Sequence, residues 1–225
     1  MEQKSVFRQL ATSPRIWALN AVLLPSAFNV GSTPVLQLQM AEVLFGAEAG
    51  FGILATTLTV AIGAGALLGG LWADRWNPRL VMLAAMLIYG TSRTVMGVLI
   101  MRDSLTVPGA LIATAVEGFF MAVGMIALFR VQAGLVPVDS RGAAELLSRL
   151  RLALMACAAV LVMSAWENPG LGAVVCGLGL IIGGIAAFAV SRDATVPRVI
   201  SQVRVSQLVA VVPRLRAVPV LLGIV

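Results

Sequence analysis

A chain of 225 residues that is 60% hydrophobic and 12% charged, with a mean hydropathy of +0.99, departs too far from average usage for a soluble domain and reads as an integral membrane protein. The net charge of +6 would suggest a nucleic-acid partner in a soluble chain, but the basic residues fall mostly in one set of loops, so no nucleic acid is expected and the lipid bilayer is. There is no histidine, and Cys157 and Cys176 lie inside apolar runs where small apolar packing accounts for them, so no metal, disulfide framework or cofactor is expected.

Residues 1–16 carry Lys4, Arg8 and Arg15 and read as a cytoplasmic N-terminal segment. The apolar run behind them is too long for a signal-peptide core and lacks a convincing cleavage site. It is taken as a first span, about 17–40, in which Pro25, Gly31 and Pro34 predict a kinked helix that a membrane tolerates. Ser26, Asn29, Thr33 and Gln37 fall on one narrow arc of that helix. This polar stripe suits interhelical hydrogen bonding and a solute-lining face equally well. The second span, about 51–73, has Ala61, Gly65, Gly69 and Ala73 at intervals of four, a face for close helix packing.

A short charged turn, Gly70 to Arg79, separates this span from the next, and both flanking runs can cross a hydrocarbon core of about 30 Å. Asn77 suits the N-cap and Pro78 the first turn of the third span, about 79–101. That span is interrupted by Gly90-Thr-Ser-Arg-Thr94, which places Arg93 inside the membrane. Arg102 and Asp103 make the next turn, and Pro108 opens a fourth span, about 107–134, that contains Glu117. The fifth, about 145–166, begins with Glu145, Arg149 and Arg151, the first two spaced as a helix pair and both arginines able to snorkel, and ends at Trp166. The sixth, about 170–190, has Gly179, Gly183 and Ala187 as a second small face. The expected fold is therefore an all-α membrane protein with a six-helix transmembrane bundle over 17–190. A basic linker and the start of a seventh span follow over 191–225, with Val199, Ile200, Val203 and Leu208 as a surface-lying amphipathic segment.

The pattern Gly-x-x-x-Asp-Arg-x-x-x-Arg, formed by Gly70, Asp74, Arg75 and Arg79, resembles the loop between the second and third helices of the major facilitator superfamily of secondary transporters. The stretch Arg130 to Gly142, in which Pro137 and Asp139 precede Arg141, resembles that family's loop between its fourth and fifth helices. Asn77 stands where the family usually has Gly, an exchange eased because Asn also visits left-handed conformations, and Pro78 where it has a basic residue. In the fourth-helix pattern Gly118 fits, while Thr114 replaces an Arg and Phe120 a second Gly; the fifth span lacks the Gly-Pro-rich pattern of family antiporters. The resemblance covers about residues 15–225 and implies one six-helix half of an alternating-access permease. A second half faces it across a cavity, and Gly70, Asp74, Arg75, Arg79 and Arg141 serve as the cytoplasmic gating loop. The wording Ala73-Asp-Arg-Trp76 and Leu135-Val-Pro137 looks closest to exporter-type members, hence efflux.

Odd-numbered connections hold one Arg among mostly acidic residues, whereas the even-numbered ones and both flanks hold the basic set. The positive-inside rule then places both ends of the six-span unit in the cytoplasm, in the plasma (cell inner) membrane. Pro213 to Val225 reads as a seventh helix that stops one or two turns beyond Pro219, so the expectation is a truncated chain, a fragment, or one half of a two-chain assembly. Two function classes stay open. One is secondary active transport of a small solute, with proton coupling as an option and a second six-helix half as partner. The other is a non-transporting membrane protein, either an inactive remnant or a half that binds a partner through its small-residue faces. An enzyme is not expected, since no nucleophile–base pair or metal-ligand set is visible. The substrate or coupling candidates are Asn29, Thr33, Gln37, Arg93 and Glu117. Arg93 and Glu117 lie at similar depth, ~10–15 Å below the outer boundary. Isolated charges there cost at least ~2.5–3.5 kcal/mol, so contact between the two would offset the cost, either as a fixed pair or as a coupling carboxylate with its counter-ion.

Overall fold

The computed structural model describes residues 14–45, 47–136, 141–165 and 168–192. The N-terminal basic residues Lys4 and Arg8, the loop residues Pro137, Asp139 and Ser140, Trp166, and the amphipathic segment and seventh-helix start after Arg192 lie outside the described residues.

Every described element is helical: α1 Pro14–Val22, α2 Leu24–Phe45, α3 Ala47–Arg75, α4 Pro78–Met101, α5 Val107–Leu135, α6 Arg141–Ser164 and α7 Pro169–Val190. Helices α3 to α7 are long and apolar enough to cross a membrane. The expected first span is divided. Pro25 has no N–H for the carbonyl four residues back, and regular helix breaks at Leu23, although Leu23 N–H still donates to Leu19 (3.2 Å) and Ala27 N–H to Leu23 (3.1 Å). Pro34, by contrast, sits inside α2 without ending it. With Asn29, Ser32, Thr33, Gln37 and Gln39 along it, α2 is too polar to pass as a span by hydropathy, which is why five helices meet that measure where six were expected.

The third span is not interrupted. Helix α4 runs unbroken through Gly90 to Thr94, where the Thr94 hydroxyl folds back onto the Gly90 carbonyl at 2.8 Å. The helix starts follow sequence chemistry: Asn77 accepts from Arg79 N–H at 3.0 Å, Thr106 from Gly109 at 3.3 Å and Asn168 from Leu171 at 3.0 Å, each followed by a proline in the first turn. Asn77 has φ −65°, an extended backbone, so no left-handed conformation is needed where the resembled family has Gly.

Four close pairs build the bundle: α4 with α7, α3 with α5, α4 with α5, and α2 with α6; α2 also packs on α3 and α7, and α1 on α7. Gly65 and Gly69 of the predicted small face press on the backbone of Phe119 and Val123, and Gly118 meets the Leu58 carbonyl from the other side. Gly183 of the second small face lies against the Val22 carbonyl and Pro25, at the break in the first span. Between α4 and α7 glycine faces glycine: a Cβ on Gly90 would lie 2.7 Å from the Gly177 carbonyl oxygen, and one on Gly97 2.5 Å from that of Gly170. Lacking a hydrophobic drive in lipid, helices gain most from such close van der Waals contact.

Large aliphatic side chains turn outward instead, among them Leu161 (73% exposed) and Leu154 (70%), as expected of a lipid-facing surface. Cys176 is buried, but Cys157 is exposed, so the expected packing holds for only one of the thiols. Two apolar clusters, one around Leu23, Met82, Met86 and Val123 and the other around Met40, Leu54, Met96 and Ala110, leave a polar layer between them.

Candidate functional site

That layer is built from four helices. Tyr89 and Arg93, one turn apart on α4, point at Asn29, Ser32 and Thr33 of α2, at Glu117 of α5 and at Cys176 of α7, all of them buried. Arg93 is fully buried and its Nη1 donates to Glu117 Oε2 at 2.5 Å. Its Nη2 reaches the hydroxyl oxygens of Ser32 at 3.2 Å and Thr33 at 3.3 Å. Tyr89 O–H donates to Asn29 Oδ1 at 3.0 Å, and Asn29 Nδ2 donates to the Cys176 carbonyl at 3.0 Å. The Ser32 and Thr33 hydroxyls each donate to the Asn29 carbonyl at 2.9 Å, which turns their oxygen lone pairs toward the guanidinium.

Two ionised groups removed from water repay their desolvation only with good geometry and further hydrogen bonds, which here the α2 hydroxyls provide. The set is not saturated. Arg93 Nε and Glu117 Oε1 are buried without a hydrogen-bond partner, one donor and one acceptor left over, and so is Gln37 Nε2 a turn beyond Thr33. Such a layer can take up a proton at the carboxylate, or hold a small group that both donates and accepts. Thr114, where the resembled family has Arg, is buried one turn before Glu117 and brings no charge.

Sequence reasoning placed Asn29, Thr33, Gln37, Arg93 and Glu117 among the candidates, and the structure gathers Asn29, Thr33, Arg93 and Glu117 into one hydrogen-bonded cluster, with Gln37 buried a turn beyond Thr33. Ser26 stays at its margin, half-buried. Ser32, Tyr89 and Cys176 were missed. The signal for Tyr89 was its place one helical turn before Arg93 as the chain's single tyrosine.

The gating-loop candidates whose side chains are described have different partners. Asp74 makes an ion pair with Arg130 of α5, a partner distant in sequence. Arg79 caps the far end of α7: Nη2 donates to the Phe188 carbonyl at 2.8 Å, Nη1 to that of Arg192 at 3.0 Å and Nε to Ser191 Oγ at 3.2 Å, with the guanidinium over the Phe188 ring. A cation on the last carbonyls of a helix is favoured by their orphan lone pairs and by the helix dipole. Arg75 is exposed, a Cβ on Gly70 would meet nothing within 4 Å, and Arg141 is the first residue of α6. Glu145 and Arg149 form the expected surface pair at 2.5 Å, whereas Arg151 turns to Asn20 Oδ1 at 2.9 Å.

No protein-family model matches the chain, and neither a curated protein nor a solved structure matches it significantly. The fold and site define a class, a helical integral membrane bundle with an ion pair buried between two consecutive spans.

Proposed function

We propose that this chain forms one six-helix half of a secondary active transporter of the major facilitator type, exporting a small solute from the cytoplasm by alternating access. In this reading Glu117 is the coupling carboxylate, proton-loaded in one state and paired with Arg93 in the other. Asn29, Thr33 and Gln37 line the solute's path, and the loop of Gly70, Asp74, Arg75, Arg79 and Arg141 sits at the cytoplasmic gate, with both ends of the unit in the cytoplasm. The observation that carries the proposal is the unsaturated polar layer around the 2.5 Å Arg93–Glu117 pair, because intramembrane ionisable residues mark pathways and relays more often than scaffolding. Helix pairing also supports it. Exchanging the first three spans with the last three carries the α2–α6 pair onto α5–α3, α4–α5 onto α7–α2, and α4–α7 onto itself, as inverted three-helix repeats would, although the α2–α3 packing has no α5–α6 counterpart of similar extent among the described residues.

A second reading, a partner-binding membrane protein without transport, has one observation in its favour. Gly63 and Gly70 on α3, seven residues apart like the glycines that interlock α4 with α7, face open space where another helix could seat. The opposing half of a transporter would use the same surface.

Infrared spectroscopy of the reconstituted chain across pH tests the role of Glu117. A carboxyl band that titrates and is missing from Glu117→Gln supports coupling. If instead no band titrates, and the low yield of Glu117→Gln is restored by adding Arg93→Gln, the pair is structural and the coupling role falls.

A further inference from the structure

At the end of the bundle away from the α3–α4 turn, α2, the α4–α5 turn and the start of α7 stand apart around a cleft of about 550 Å³. That volume lies within the range of small-molecule sites, roughly 300–1,000 Å³. Its wall is apolar, with Met40, Ile100, Leu105 and Pro169, and its polar groups are Gln39, Asp103 and Asn168. Met40 also belongs to the apolar cluster with Leu54, Met96 and Ala110, and Met96 lies one turn beyond Arg93, so this cluster separates the cleft from the ion pair.

The one charged group on this wall is a carboxylate, Asp103, and the two amides, Gln39 and Asn168, each carry an acceptor oxygen and an NH2 donor. Gln39 Oε1 is buried with no hydrogen-bond partner, and Asp103 makes no ion pair among the described residues. Asn168 Oδ1 is already engaged in capping α7. Among the described residues no Lys or Arg lines the cleft. Asp103 is also the one non-glycine described residue with positive φ, at 49°, a conformation that Asp tolerates better than most residues. This ends α4 and brings the carboxylate to the rim, where a continued helix would carry it elsewhere around the axis. An apolar wall with a carboxylate at its rim and, among the described residues, no positive side chain favours positive charge on an apolar body.

We propose that this cleft binds an amphipathic organic cation, with Asp103 facing the charge and the Met40, Ile100 and Leu105 wall facing the apolar part. It is a second site, independent of the role assigned to Glu117.

Equilibrium binding of tetraphenylphosphonium to the full chain in lipid nanodiscs tests it, with the isosteric anion tetraphenylborate as control. Saturable phosphonium binding is expected. It should weaken about fivefold in Asp103→Asn, as for the loss of an exposed ion pair. It should disappear in Leu105→Trp, which fills the cleft, and persist in Glu117→Gln. Asn tolerates the same positive φ, so Asp103→Asn keeps the turn, and an unchanged melting temperature verifies this. Unsaturable uptake, equal binding of tetraphenylborate, or an Asp103→Asn affinity equal to that of the parent chain would overturn the site. Binding kept by Leu105→Trp but lost in Glu117→Gln would place the cation at the ion pair and overturn it too.

Discussion

Replacing Arg93 by Leu would leave the Glu117 carboxylate buried without its cation, and removing one partner of a buried pair costs ~3–5 kcal/mol. Tyr89→Phe removes one hydrogen bond, to Asn29, and intramembrane hydrogen bonds average only ~0.6 kcal/mol. Arg93→Leu should therefore lower the folded fraction steeply in SDS-titration unfolding while Tyr89→Phe hardly moves it. Equal effects would mean that the network, and not the charge, holds this layer. Position in sequence converts to depth through the constant rise of a helix, so the common level of Arg93 and Glu117 was legible from residue numbers alone. Their contact was not, because consecutive spans need not touch. Ser32 falls outside the arc that Asn29, Thr33 and Gln37 define, yet its hydroxyl oxygen meets the guanidinium at 3.2 Å.

Two kinds of glycine separate at the level of elements. At Gly90 an added side chain meets the backbone of Gly177, which cannot move aside, so Gly90→Val should destabilise by ~1–3 kcal/mol, as overpacked sites do. At Gly63 nothing lies within 4 Å, and Gly63→Ala should be neutral or slightly stabilising because Ala is the better helix former. Thermal unfolding of both variants in one detergent gives the comparison, and a Gly63→Ala loss as large as that of Gly90→Val would reveal a helix seated on α3. The intervals of four on α3 and α7 were legible as packing faces. The interlock at Gly90, Gly97, Gly170 and Gly177 was not, since a spacing of seven gains meaning only when the partner helix and its antiparallel register are known. The Asp74–Arg130 pair escaped for a similar reason, as it joins the ends of helices separated by a whole hairpin. The division at Leu23 was legible from Pro25, whereas the polar run around Arg93 looked like an interruption because its partners on α2 and α5 were not in view.

The bundle as a whole has a basic end, with Arg75, Arg79 and Arg130, and an end where, among the described residues, Arg102 stands with the acidic Glu42 and Asp103. The proposed orientation puts the basic end in the cytoplasm. In a Cys157→Ser background, Ser104→Cys should react with an impermeant maleimide added to intact cells and Asn77→Cys only after lysis, both positions being exposed. The opposite labelling would invert the molecule. The ion pair also bears on how such a chain enters a bilayer. Its two charges sit on adjacent spans joined by a short turn, so they can neutralise one another within that hairpin, before α6 and α7 pack around it. The Ser32 and Thr33 hydroxyls, made earlier, are already there to receive the guanidinium. Arg79 must wait, because the carbonyls it caps belong to α7 and the residues just after it, the last to be made among the described ones.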